Sequence, residues 1–256
     1  MRMDIWRNPL TGGRLAHGKD CRSFVDSETN EEYPIDNNGI IHFICGKDIQ
    51  GSNTKSTAFY NSFSPFYELG QKLYYSFLGG ERKARNDYLK YLDIQEGSVV
   101  LEVSVGTAAN IKYLPREAEY YGLDISMGQL IQSVKNRDKH RLPLCLCYGN
   151  AEYLPFADST FDVVFHIGGI NLFSDKGRAI REMVRVAKPG TKLLIADETN
   201  KIAKAYKWIP YFGKPFRGQS EIVPPVNLLP DTVADVKLDE IRHGSLYCLT
   251  FKKPLL

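Results

Sequence analysis

The sequence predicts an α/β fold: a doubly wound, mostly parallel sheet with an antiparallel last strand, plus a small β-rich N-terminal appendage. Three observations carry this. Strand-like and helix-like runs alternate from residue 98 onward, the pattern of an open parallel sheet with helices on its faces. The first of those strands, 98–105, ends in a turn of small residues around Gly106. Residues 1–50 differ in texture, with short β-like runs broken by Gly12-Gly13, Pro34 and Asn37-Asn38-Gly39. The expected division is therefore 1–50 as a ribbon-like appendage, 51–95 as linker and helical lid, and 96–256 as a cofactor-binding domain.

Composition bounds the class. The chain has 256 residues, 43% hydrophobic and 25% charged, ordinary for a globular protein with a real core. Its 33 basic and 30 acidic residues leave a net charge of +3, too balanced to argue for a nucleic-acid partner. No apolar stretch approaches the ~18–20 residues of a membrane span, and residues 1–10 lack the apolar core of a signal peptide. The cytoplasm is the default compartment. Five cysteines without any CxxC pair read as small buried hydrophobes in a reducing compartment.

Taken in order, the N-terminal segment includes the β-like run Ile40–Ile44. The stretch Tyr33-Pro34-Ile35-Asp36-Asn37-Asn38-Gly39-Ile40-Ile41 resembles the end of the small zinc-ribbon modules found beside methyltransferases. Those modules begin with paired cysteines. The matching region here, Trp6 to Gly13, has none, and Cys21, Cys45, His17 and His42 show no ligand-like spacing. A tetrahedral site needs four ligands, so a ribbon that has lost its metal is expected. Residues 51–62 are small and polar, a linker. Within 63–94, Phe66, Leu69, Leu73 and Phe77, then Tyr88, Leu89 and Leu92, recur at helical spacing, with Gly79-Gly80 dividing two helices. The dense aromatics of this stretch suit packing, or a lid over a nucleotide.

Strands are expected at 98–105, 119–125, 142–148, 161–167, 191–197, 235–241 and 245–252, and helices at 107–114, 127–138 and 174–188. Val99 to Val103 is an apolar run bounded by turn signals, as in a buried parallel strand. His243-Gly244 joins the last two strands as a hairpin, which makes the final strand antiparallel.

Polar residues recur at the carboxyl ends of these strands, where such sheets bind ligands. Glu102 precedes a turn, Ser104-Val105-Gly106-Thr107-Ala108, whose amides would face a ligand. Asp124, followed by Ile125 and Ser126, would accept both ribose hydroxyls, with Ile125 offering an apolar surface to an adenine face. Asn150 and the amide of Ala151, followed by Glu152, could bond the adenine edge. Glu102 would face a positive group such as an amino-acid ammonium.

Jointly, in this order, these features resemble the class I S-adenosylmethionine-dependent methyltransferases. The run Gly149 to Phe156, continued by Ala157 to Val164, is especially similar to the branch containing the ubiquinone and menaquinone C-methyltransferases. The resemblance implies a Rossmann-like domain and S-adenosylmethionine as cofactor, with S-adenosylhomocysteine as product. It implies a cofactor site formed by Glu102, Ser104, Val105, Gly106, Thr107, Asp124, Ile125, Ser126, Asn150, Ala151, Glu152, His166 and Ile167. That family usually has Gly at the positions of Ser104 and Ala108 and commonly Asp at Asn150. Side chains at 104 and 108 should resist positive φ, so a variant pocket is expected. A dinucleotide dehydrogenase is the competitor, but no GxGxxG is present.

The implied activity is methyl transfer to a small, ring-containing metabolite. His166 is the one candidate base, at the cofactor–acceptor boundary with Asn171; no metal is expected. The alternatives are an RNA methyltransferase, and an inactive cofactor-binding partner subunit. Residues 201–217 are basic and aromatic, which suits a packed amphipathic helix, peripheral membrane contact or RNA stacking. The acceptor and the oligomeric state have no signature in the sequence.

Overall fold

The computed structural model describes residues 2–44, 75, 79–201 and 222–255. The chain opens with β1 (Leu15–His17), β2 (Ser23–Asp26) and β3 (Glu32–Pro34), a three-stranded antiparallel sheet. The turns before β1 and after β2 are built alike. Asn8 Oδ1 accepts the amides of Leu10 and Thr11 at 2.9 and 3.2 Å, and Asp26 Oδ1 accepts those of Glu28 and Thr29 at 2.9 and 3.4 Å. The Gly12 amide returns to the Asn8 carbonyl, and the Asn30 amide to that of Asp26, at 2.9 and 2.8 Å. Asn8 Nδ2 then donates to Asp26 Oδ2 at 2.7 Å, so the twin turns close on a direct hydrogen bond. Among the described residues no group of three metal-ligating side chains gathers; Cys45 lies outside them.

The next strand departs from expectation. β4 (Ile40–His42) leaves the small sheet and pairs in parallel with the main one. The main sheet otherwise holds the seven expected strands: β5 (Val99–Val103), β6 (Glu119–Asp124), β7 (Leu144–Tyr148), β8 (Val163–Ile167), β9 (Lys192–Glu198), β10 (Ala234–Ile241) and β11 (Leu246–Lys252). Their order is β10-β11-β9-β8-β5-β6-β7-β4. Pairing is parallel from β9 through to β4, while β11 runs antiparallel between β9 and β10. β10 is an edge strand exposed along nearly its whole length. Asp235 at φ 52° and a register shift between Ala234 and Lys237 bend it, which discourages pairing with another chain.

Three helices are described: α1 (Glu81–Leu89), α2 (Met127–His140) and α3 (Lys176–Val186). Ser126 Oγ caps α2 by accepting the Gln129 amide at 3.3 Å, and Asp175 caps α3 through the Arg178 amide at 2.8 Å. Lys and Arg in the last turn of α2 suit its carboxyl end. α1 and α2 cover one face of the sheet, where Tyr88, Leu89 and Leu130 join Val100, Tyr120, Leu146 and Phe165. α3 covers the other, placing Ala179, Ile180 and Met183 against Val164 and Ile195.

Two helical expectations change. Residues 107–114 form only a 3-10 turn at Ile111–Tyr113, ended by Pro115, which removes a backbone donor. The helix predicted ahead of Gly79-Gly80, and 202–217 of the basic aromatic segment, fall outside the described residues; α1 is the second of the two predicted helices.

Among the described residues no helix links β7 to β8. The N-terminal segment takes that place on the α3 face. Trp6 is fully buried, with Phe24, Phe43, Tyr121 and Phe156 around it at ring-centroid distances of 5.2–5.9 Å. Backbone bonds from Arg7 to Pro155 (3.0 Å) and from Ala157 to Ile5 (2.7 Å) stitch it down. The segment thus keeps its own three-stranded sheet, as expected of a small β appendage, and seats Trp6 in the core of the main domain. Burial of such a ring is worth a few kcal/mol, more than an exposed ion pair contributes.

Candidate functional site

β5 lies mid-sheet, with β6 on one side and β8 on the other. The chain leaves it in opposite directions across that gap, the switch point where open α/β sheets form a cleft at their carboxyl ends. The turn after β5 has three residues in the left-handed region: Ser104 at φ 59°, Gly106 at 56° and Ala108 at 57°. This corrects the expectation that side chains at 104 and 108 would resist such a backbone. Each of the two costs about 1–2 kcal/mol, and the surroundings supply the restraint.

The restraint comes largely from α2. Ser133 Oγ donates to the Gly106 carbonyl at 2.5 Å, and Asn136 Nδ2 to that of Thr107 at 2.8 Å. The Val105 amide reaches the Leu123 carbonyl at 3.0 Å, and the Gly106 amide reaches Asp124 Oδ2 at 2.8 Å. Val105 packs so closely over β6 that a Cβ on Gly122 would meet it at 2.8 Å. By contrast, among the described residues a Cβ on Gly106 would meet only Gln129 Oε1, at 3.8 Å, so none of them fills the outer side of the turn. Gln129, Ser133 and Asn136 lie on one face of α2 at spacings of four and three; that polar stripe was the available sequence signal for the clamp.

Asp124 ends β6 with both carboxylate oxygens engaged, Oδ2 by Gly106 and Oδ1 by the Ser126 amide at 2.8 Å. A carboxylate has roughly four acceptor sites, so it keeps capacity for a ligand. Burial raises its pKa to about 6, against the pull of the backbone amides. Ile125 beside it is half-buried. After β7, Asn150 Oδ1 accepts the Glu152 amide at 3.0 Å, which fixes the turn and keeps Nδ2 as a donor. Ala151 is buried. Glu152 Oε1 accepts the Asp175 amide at 3.0 Å, at the start of α3.

Glu102 lies on the same face as Asp124, because alternate residues of a strand share a face. It is buried, and Oε1 accepts from Asn110 Nδ2 at 2.6 Å. Oε2 has no hydrogen-bond partner among the described residues. Burial raises its pKa to about 8, only partly opposed by the Asn110 bond and the more distant Arg85 charge. Behind it stands a network absent from the sequence reading. Arg85 Nη1 donates to Asn110 Oδ1 at 2.6 Å, and Tyr88 Oη donates to the same oxygen at 3.1 Å. Arg85 Nε pairs with Glu81 at 2.9 Å, and Glu81 with Lys112 at 3.0 Å.

His166 goes elsewhere. It is fully buried on the α3 face, opposite to Glu102 and Asp124, edge-on to Phe173. Nδ1 lies 3.0 Å from the Val103 carbonyl and so carries the proton, and Nε2 has no partner among the described residues. Burial lowers its pKa, opposed by Asp197 and that carbonyl. The ring thus lies on the other face of the sheet from Glu102 and Asp124. Its neighbour Ile167 is half-buried on the Glu102 face, beside exposed Gly168. Asp197 Oδ2 accepts the Ile170 amide at 3.1 Å and Asn171 Nδ2 at 3.3 Å, which sets the loop after β8.

These residues fit S-adenosylmethionine. The outer side of the turn, which no described residue fills, admits a close ligand, Asp124 keeps acceptor capacity for hydroxyls, and the buried Glu102 Oε2 suits an ammonium. Comparison with known proteins agrees. Residues 101–195 match the family described as "Methyltransferase domain". The demethylmenaquinone methyltransferase of Anoxybacillus flavithermus is 32% identical over 146 residues, covering 52% of this chain and 62% of that one. The same enzyme of Halalkalibacterium halodurans is 35% identical over 133 residues, covering 50% and 54%. The chain therefore spans less than two thirds of these relatives. Among solved structures, a SAM-dependent methyltransferase of Thermotoga maritima, a possible histamine N-methyltransferase by its description, superposes with a TM-score of 0.59 at 17% identity, covering 77% of this chain and 99% of that one. The [4+2]-cyclase SpnF gives 0.57 at 16% identity, covering 78% and 96%. At such identities the likeness is one of fold.

Proposed function

We propose, from the match of residues 101–195 to the family described as "Methyltransferase domain", that the chain is a class I S-adenosylmethionine-dependent methyltransferase acting on a small, ring-containing metabolite of quinone or quinol type. The observation that carries the cofactor half is the turn 104–108. Its carbonyls are tied to α2 by Ser133 and Asn136, and its outer side, beside two buried carboxyls, is filled by no described residue. Likeness to demethylmenaquinone methyltransferases over half the chain supports the acceptor half.

In this reading Asp124 accepts the ribose hydroxyls. Asn150 and the Ala151 amide address the adenine edge, Ile125 lies along its face, and Glu102 receives the ammonium. Bound S-adenosylmethionine supplies a methyl group on a sulfonium, whose departure leaves a neutral thioether. The protein's share is to hold the acceptor in line and keep water out. Ile167 and the loop fixed by Asp197 border the side from which an acceptor would approach. A phenolic hydroxyl titrates near 10, so methylation of a quinol also passes a proton to solvent or to a base on the acceptor's side, a role this reading does not give to His166.

The test is calorimetric titration with S-adenosylhomocysteine, with Asp124→Ala alongside, followed by transfer of labelled methyl from S-adenosylmethionine to a demethylated quinol. Saturable binding weakened at least about tenfold in the variant is expected, the loss of one charge-assisted contact. Folded protein that binds no S-adenosylhomocysteine would refute the cofactor reading. Binding without transfer, even with cell extract added, would favour an inactive partner subunit.

A further inference from the structure

Glu102 ends the β5 core with one oxygen satisfied and one not, among the described residues. The satisfied oxygen is held by Asn110, and an amide can turn over, presenting either its nitrogen or its oxygen to a neighbour. What decides its direction is Arg85. Asn110 Oδ1 receives Arg85 Nη1 at 2.6 Å and Tyr88 Oη at 3.1 Å. A guanidinium has only donors, so it compels the amide oxygen toward α1 and the amide nitrogen toward Glu102. Arg85 is itself fixed. It is 4% exposed, pairs with Glu81 through Nε, and lies 5.0 Å over the Tyr75 ring. Its ion pair is with Glu81, at 2.9 Å, and it reaches Glu102 only through Asn110, so Oε2 of Glu102 is left for a second cation.

We propose that Arg85 is a positioning residue for the amino-acid arm of the cofactor: by orienting Asn110 it pins Oε1 of Glu102, leaving Oε2 for the ligand's ammonium. This rests on the cofactor reading above. It gives α1 a task besides covering the sheet, because the docking of this helix sets the readiness of a carboxyl that α1 reaches only through Asn110. Tyr88 shares the load, and Lys112 holds Glu81 from the other side at 3.0 Å.

The test compares two ligands on the full chain. S-adenosylhomocysteine carries the ammonium, and methylthioadenosine has the same nucleoside and sulfur without the amino-acid arm. Arg85→Gln should weaken S-adenosylhomocysteine about tenfold or more, the scale of a charge-assisted hydrogen bond, and leave methylthioadenosine within about twofold. Arg85→Lys keeps the charge beside Glu81 but cannot fork to Asn110; it should give an intermediate ratio, and it serves if the Gln variant does not fold. Equal weakening of both ligands would show a merely structural role and overturn the proposal. Unchanged binding of both would overturn it too. Wild-type protein that binds methylthioadenosine but gains nothing from the arm would refute the role of Glu102 itself, and wild-type protein that binds neither would refute the cofactor reading together with this inference.

Discussion

Replacing Glu102 by glutamine offers the sharpest measure of how the site is built. The ordinary pKa of this carboxyl is 4.5, and burial in the fold takes it to about 8. The folded state therefore binds a proton that the unfolded chain releases across that window. Stability falls as pH rises from 4.5 toward about 8, and the loss is complete above it. Each pH unit in the window costs about 1.4 kcal/mol, so the ceiling is near ~5 kcal/mol, and relaxation of the site brings the expected loss to ~2–5 kcal/mol. The amide of Glu102→Gln keeps an oxygen for Asn110 and cannot ionise. Asp124 and Glu198, also raised by burial, to about 6 and about 8, titrate in both proteins and cancel in the difference. Urea unfolding at pH 5 and pH 9 should show wild-type and variant close together at the lower pH. At the higher pH the variant should be the more stable by a few kcal/mol. Parallel pH profiles would refute the claim that Glu102 is buried without an ion-pair partner among the described residues. At pH 9 S-adenosylhomocysteine should stabilise wild type by more than Glu102→Gln, which binds it through the nucleoside alone, since only in wild type would the ammonium meet an ionised carboxylate.

Two further outcomes are expected. Trp6→Ala empties a cage of four aromatic rings and should cost about 3–5 kcal/mol in urea unfolding; a loss below about 1 kcal/mol would mean the N-terminal segment is dispensable to the core. Ser104→Gly relieves a left-handed backbone at φ 59° and should raise stability to urea, by up to about 1 kcal/mol after the entropy of glycine is counted. Ser104→Val should lower it by more than that, and a Gly variant less stable than wild type would show that the serine side chain contributes contacts of its own.

The inner strands β5 to β9 and β11 were readable because each is a largely apolar run bounded by turn residues, and burial on both faces leaves little other use for such a run. Glu102, Asp124 and Asn150 were readable for a related reason: polar residues at strand ends in an α/β pattern face a cleft. What escaped depends on the third dimension. His166 stands one residue from Ile167, and that single step carries it to the opposite face. Arg85 precedes Glu102 by 17 positions on a different element, with no local pattern to connect them. The left-handed turn could not be inferred from Ser104 and Ala108 because the clamp that holds it, Ser133 and Asn136, sits on α2. The N-terminal β-rich segment was legible from its short runs and turn residues, but its seating on the main domain was not, because the anchor, Trp6, is a single residue.

The seating of Trp6 also bears on how the protein is made. Ribosomes deliver the amino end first, yet the rings that enclose Trp6 are supplied by Phe24, Phe43, Tyr121 and Phe156. The pairing of β4 likewise waits for Leu146 to Tyr148. Until Phe156 has been synthesised and has cleared the exit tunnel, the nascent chain carries an apolar N-terminal surface with nowhere to bury it. The residues around Trp6 are thus translated well before the rings of Tyr121 and Phe156 that help to bury them.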